Sequence, residues 1–155
     1  MRLAGKEGNQ LEMAILGYQF PNELTDPWDS NWLLVSVKVV TPAGSWEVVD
    51  PCLTTWETKR LVSWLVGAVG RTDAPAATFV EPNLTVSAAP VAGSPEGVLL
   101  TFGLALELRP PWGQGTGSAG DFRVILDIDR PSVARAAASL LGDLVRFPQR
   151  GSEPV

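Results

Sequence analysis

The residues able to do chemistry in this 155-residue chain are few, and their types set narrow limits. There is no histidine, so the imidazole that most often moves protons near neutral pH is missing. For the same reason no Cys/His cluster can hold zinc or copper. The single cysteine, Cys52, follows Asp50-Pro51 just before a helix signal. A helix N-terminus can lower a thiol pKa, but with no imidazole a papain-like dyad is ruled out. A small buried thiol is the better reading. Serines such as Ser36, Ser63 and Ser139 have neither a G-x-S-x-G elbow nor an imidazole base, and nothing singles out Lys38 or Lys59 as a substitute.

Carboxylates remain. Asp127-Ile128-Asp129 has D-x-D spacing, which on a strand sends both side chains to one side. Asp129 also stands where a helix cap belongs, and no third ligand is evident, so capping is expected and no metal site is assigned. Glu23, Asp26 and Asp29 surround Trp28 in PNELTDPWD (21–29), with a spacing that fits no metal or carboxylate-pair rule. Acidic groups around an aromatic anchor suit electrostatic docking instead. Trp112, in RPPWGQGTGSAG (109–120), is the other tryptophan placed in a loop. Glu23, Asp26, Trp28, Asp29 and Trp112 are therefore the candidate partner-binding residues. The glycines of 113–117 feed a strand rather than a helix, and no Gly-Lys-Ser/Thr follows, so they read as a long flexible connection and not a phosphate cradle. An enzyme built on Asp50, Asp121, Asp127 or Asp129 would require these groups to converge with a raised pKa. No catalytic residue and no cofactor is assigned.

Patterning supplies the scaffold for these residues. Leu11, Met13 and Ile15 alternate as in a strand. Asn31–Val40 is a strong strand with Leu33, Val35, Val37 and Val39 on one face, and a turn at 41–44 returns it through Ser45–Val49. Asp50-Pro51 is expected to end that strand. Thr54 and Glu57 form a T-x-x-E capping box ahead of a helix over 55–69, with Leu61, Trp64, Leu65 and Ala68 as its stripe and Gly70 as its stop. Short strands are expected at 78–81 and 83–88. Gly97–Leu108 reads as one long strand burying Val98, Leu100, Phe102, Leu104, Leu106 and Leu108, paired with a strand carrying Phe122, Val124, Leu126 and Ile128. A last helix over 131–145 carries Val133, Ala136, Ala137, Leu140, Leu141, Leu144 and Val145 at helical spacing. Trp32, Trp46, Trp56 and Trp64 fall on these elements and are expected to cover the core. The order predicts an α+β fold, a curved antiparallel sheet of about six strands with two helices on one face. It predicts a single domain over 1–148 with a frayed tail at 149–155, and no internal repeat.

The composition is globular, with 45% apolar and 19% charged residues. A formal charge of −5 argues against a broad nucleic-acid-binding face and is compatible with a basic partner. Met1–Gln10 has no apolar run of signal-peptide length, and no stretch approaches the roughly 20 apolar residues of a membrane span. A lone cysteine fits a reducing cytoplasm. No nucleic acid or membrane partner is expected.

Several segments, in order, carry a family resemblance: LEMAILGYQF (11–20), DSNWLLVSVKV (29–39), WEVVDPCLTTWETKRLVSWL (46–65), FVEPNLTV (79–86), PPW (110–112) and LVRFP (144–148). This series resembles small bacterial WapI-type immunity proteins over roughly 11–148. The resemblance implies a cytoplasmic antitoxin that protects a cell against a wall-associated, contact-delivered toxin, with the cognate toxin as partner and no chemistry of its own. It carries over no site residue. The alternative expectation is a small-molecule carrier with a pocket under the curved sheet.

Overall fold

The computed structural model describes residues 1–68, 74–113 and 120–154. The chain opens with a short strand β1 (Arg2–Ala4), followed by β2 (Gln10–Tyr18), β3 (Trp32–Thr41) and β4 (Gly44–Thr54), and then helix α1 (Thr55–Ala68). A second series follows: β5 (Ala77–Thr78), β6 (Leu84–Val91), β7 (Ser94–Leu104), β8 (Phe122–Asp129) and helix α2 (Arg130–Arg146). Each series is an antiparallel meander in sequence order followed directly by a helix. The class is α+β, as expected, but the six-stranded single sheet is not found. Two sheets of four strands replace it, and the strand-strand-strand-strand-helix arrangement occurs twice. Alternation fixes which face a strand buries, not which strand it pairs with. Here sequence neighbours pair, and α1 interrupts the run between β4 and β5.

The sheets abut without merging. Past β1, the Lys6 amide donates to the Asp127 carbonyl of β8 at 3.0 Å, and Asn9 Nδ2 donates to the Ile125 carbonyl at 2.9 Å. Gly5 permits this approach, since a Cβ there would lie 3.1 Å from Leu126 Cα. Elsewhere Trp46 of β4 donates Nε1–H to the Leu108 carbonyl at 3.0 Å and meets the Phe122 ring edge-on at 5.2 Å. The two helices pack on each other, and α2 touches strands of both sheets. One continuous core results, built from Leu33, Val35, Val37 and Val39, from Val98, Leu100, Phe102 and Leu104, and from Val124, Leu126 and Ile128. The predicted buried faces of these strands are therefore observed.

Several boundaries and one helix face differ from expectation. Strand β4 passes through Asp50-Pro51 to Thr54, because Pro51 lies in an outermost strand at a register shift and removes no regular ladder bond. The expected strand over 78–81 shrinks to Ala77–Thr78. The long strand stops at Leu104. Leu106 adopts φ 48° in a short 3₁₀ turn (Leu106–Leu108) and is 55% exposed, so it leaves the face that sequence alternation gives it. In α2, Val133, Ala136, Ala137, Leu140 and Leu144 are buried, but Leu141 and Val145 are exposed. The predicted helix end at Val69-Gly70 and most of the 113–117 glycine run lie outside the described residues.

The helix starts form as their sequences require. Thr54 and Glu57 make the reciprocal capping box, and the Asp129 side chain accepts from the Ser132 amide at 2.7 Å. The segment after Pro148 makes contacts with the rest of the fold. Arg150 bonds Asn31 through its backbone, its guanidinium lies 3.5 Å from the Tyr18 ring centroid, and Arg60 pairs with Glu153 at 2.8 Å.

Candidate functional site

The loop between β2 and β3 is organised by its own carboxylates. Glu23 Oε1 accepts from the Thr25 amide (2.7 Å), the Thr25 hydroxyl (2.6 Å) and the Asp26 amide (3.0 Å). Asp26 Oδ1 then accepts from the Trp28 and Asp29 amides, both at 2.8 Å, opening a short 3₁₀ turn over Asp29–Asn31. These bonds, with the Thr25 hydroxyl first, hold the exposed Glu23 carboxyl down at about 2, below its ordinary 4.5. The depressed value sets the sign of the pH dependence. The contribution of Glu23 to loop order is complete above about 4.5 and lost as pH falls through about 2. We expect the Glu23 carboxyl resonance to titrate near 2 and Thr25 and Asp26 amide protection to persist at pH 4; a midpoint at the ordinary glutamate value would refute the bonding pattern.

Trp28 emerges from this frame. It is 39% exposed and stands edge-on against the buried Trp56 of α1, with ring centroids 5.3 Å apart. Phe20 and Leu24 of the same loop are exposed as well. Beneath the loop, Asn31 is fully buried and joins three pieces of chain. Its Nδ2 donates to the Pro27 and Arg150 carbonyls and to the Ser30 hydroxyl, while its Oδ1 accepts from the Thr55 hydroxyl and the Arg150 amide. Arg150 also reaches the carbonyls of Phe20 and Glu23, and the Tyr18 hydroxyl donates to the Pro148 carbonyl. A small apolar groove of about 190 Å³ shares this hub: it is lined by Thr55, Leu141, Leu144, Val145 and Pro148, with Lys59 and Gln149 at its polar positions.

The candidate residues thus fall in two places. Glu23, Asp26, Trp28 and Asp29 share one ordered loop. Trp112 does not join them; it is 45% exposed and packs edge-on against Trp46 at 5.4 Å, over Gly44 at the far end of β4. The strand between holds 11 residues, which places the two tryptophan sites about 30 Å apart. Leu141 and Val145 were missed because helical spacing assigns them to the core.

The other polar residues have structural partners. Cys52 is fully buried, and burial followed by the Asp50 charge pushes its thiol up to about 12, so it is inert as a nucleophile near neutral pH. Asp127 pairs with Lys6 at 2.7 Å, and the Ser132 amide, then its hydroxyl, hold the Asp129 carboxyl below its usual range. Asp121 lies beside Gly103 and Thr85. The Asp50 carboxyl is pushed upward, by burial first and then by the charge of Glu107. Among the described residues no group of three or more acidic or thiol side chains is placed to hold a metal ion, and no helix is long and apolar enough to cross a membrane.

The family model described as Immunity protein WapI-like family matches residues 2–148. No curated protein and no solved structure matches the chain.

Proposed function

We propose, for a chain that belongs to the WapI-like immunity protein family, that it is an antitoxin-like protein of the cytoplasm that binds a cognate toxin and occludes it, without catalysing a reaction. The observation that carries this reading is the ordered acidic loop with Trp28 at its crest. An aromatic anchor held by Trp56, on a loop whose backbone is already bonded, loses little entropy on docking. The carboxylates around it favour a basic surface, such as the active site of a nuclease toxin. Leu141 and Val145 add exposed apolar area to a groove whose Thr55 bonds Asn31. Residues 1–148 act as one unit in this reading.

The carrier alternative needs a cavity beneath the sheet. That space is occupied by one cluster of side chains from both sheets and both helices, so the surface reading is favoured. The direct test is co-expression with the toxin domain of an adjacent secreted protein: survival with the chain present supports the proposal, and death regardless of it does not. For placement, Trp28→Ala should weaken toxin binding about 30-fold, roughly 2 kcal/mol, while the protein stays folded. Unchanged affinity by calorimetry would move the contact elsewhere.

A further inference from the structure

We infer that the cleft where α2 meets the seam between the two sheets binds a phosphate group, either the free ion or one carried by a small phosphate monoester. The inference goes beyond the antitoxin reading and uses none of its residues. Edge strands β1 and β8 come together at the seam, and α2 contacts both. The cleft between them measures about 370 Å³, at the small end of ligand pockets. Ile128 and Ala136 are buried beneath it and give it an apolar floor. Its polar lining is Arg2 of β1 together with Ser132, Arg135 and Ser139, which share one face of α2 by their helical spacing.

Both arginines are held by neutral oxygens. Arg135 Nη2 donates to the Ser132 hydroxyl at 2.7 Å, which fixes that guanidinium at the cleft wall, and Arg2 Nη2 donates to Gln10 Oε1 at 3.1 Å. Such bonds orient a cation without cancelling its charge. Neither arginine forms an ion pair among the described residues, whereas Lys6, Arg60 and Arg146 each do. Carboxylates are not scarce, since 17 acidic residues face 12 basic ones. The acids nearest the cleft are engaged elsewhere. The Ser132 amide and hydroxyl occupy Asp129, and Glu12, opposite Arg2 in the β1–β2 register, is also opposite Lys38 of β3. Two like charges therefore line one cleft with no counter-ion. Each guanidinium spends one of its five N–H groups on the bond that orients it, and the Ser139 hydroxyl, exposed and without a partner among the described residues, adds a donor. A tetrahedral dianion accepts from two guanidinium forks and a hydroxyl together; a carboxylate, with two oxygens in one plane, uses fewer of them. The apolar floor suits the carbon skeleton of a monoester, and the cleft is too short to follow a polymer backbone.

The test titrates the isotopically labelled full chain with inorganic phosphate, ribose 5-phosphate or acetate at constant ionic strength, read by amide and arginine Nε–H NMR. Both phosphates should shift the Ser132, Arg135 and Ser139 amides and the Nε–H signals of Arg2 and Arg135, saturating with a Kd on the order of 1 mM. Tighter binding of ribose 5-phosphate assigns the monoester as the source, and equal binding assigns the free ion. Arg2→Gln and Arg135→Gln alter exposed side chains, and each should weaken binding about tenfold; Arg135→Lys, which keeps the charge but not the fork, should lose less. Shifts that do not saturate or that centre elsewhere would overturn the site, as would unchanged affinity in both glutamine variants. Acetate binding as tightly as phosphate would overturn the phosphate assignment, and a short DNA oligonucleotide binding more tightly than either phosphate would replace the small ligand with a nucleic acid. The toxin is not a reagent here, so this result and the neutralisation result stand or fall separately.

Discussion

Replacing Glu57 by leucine should cost roughly 4 kcal/mol of folding stability, the largest effect expected of a single side chain on this framework. Glu57 is fully buried. One carboxyl oxygen accepts from the Thr54 amide and the Thr54 hydroxyl, both at 3.0 Å; the other accepts from the Val80 amide at 2.6 Å. Leucine fills similar volume, so no large cavity forms and the loss is polar. It leaves the Thr54 amide and hydroxyl without an acceptor in a residue that is itself fully buried, at about 1–3 kcal/mol for each stranded donor. It also removes half of the capping box, worth about another 1 kcal/mol. Urea unfolding should show a lower midpoint at unchanged slope. Hydrogen exchange should accelerate at Thr54 and at Val80, which is 23 residues away. Glu57→Gln keeps one acceptor oxygen and should lose about half as much. A leucine variant within about 1 kcal/mol of the parent would show that these bonds contribute little net stability. Because the Val80 bond anchors the segment leading to Asn83, the leucine variant should also loosen the hydrogen bond from Asn83 Nδ2 to Asp50.

Half of the Glu57 arrangement was legible from sequence and half was not. Thr54 and Glu57 are three residues apart, and their exchange of bonds is a local rule. The Val80 bond is a tertiary event that no local spacing encodes. Strand faces were legible for the same reason as the capping box, since alternation along 33–39, 98–104 and 122–128 is local. Pairing was not, and so one sheet was expected where two exist. Pro51 reads as a stop in sequence because the outermost position of β4 and its register shift are properties of the sheet. Leu141 and Val145 share the helical period of the buried residues, but the position of α1 decides which part of a broad apolar stripe is covered. At the candidate site, the acidic and aromatic character of 21–29 was plain in the composition. That its carboxylates serve the backbone, and that Trp112 lies far from Trp28, emerges only in three dimensions.

Asn31 has no signal in the sequence, yet its replacement has the second large expected effect. In sequence it is one polar residue at the head of a strand. In the fold it is fully buried, its Thr55 partner lies 24 residues away, and its Arg150 partner lies 119 away. Asn31→Leu would strand the Thr55 hydroxyl, the Arg150 amide and the carbonyls of Pro27 and Arg150 together. The Arg150 groups can regain water if the tail lifts away, so about 3 kcal/mol is expected rather than the sum of all the losses. That escape gives the prediction its signature. In the parent, the Arg150 amide and carbonyl are both held by Asn31, so the backbone there should resist trypsin; in the variant, cleavage after Arg150 should precede global unfolding. Asn31→Asp separates the two halves of the hub. It keeps acceptors for Thr55 and the Arg150 amide but sets a carboxyl oxygen against the Pro27 and Arg150 carbonyls, so it too should release the tail. If trypsin finds Arg150 no more accessible in either variant, the tail is held by Tyr18, Arg60 and the Phe20 and Glu23 carbonyls, and Asn31 is not the hub. If Arg150 is released, the same variants should weaken toxin binding by more than their loss of stability explains, because the loop that presents Trp28 is anchored through the same side chain.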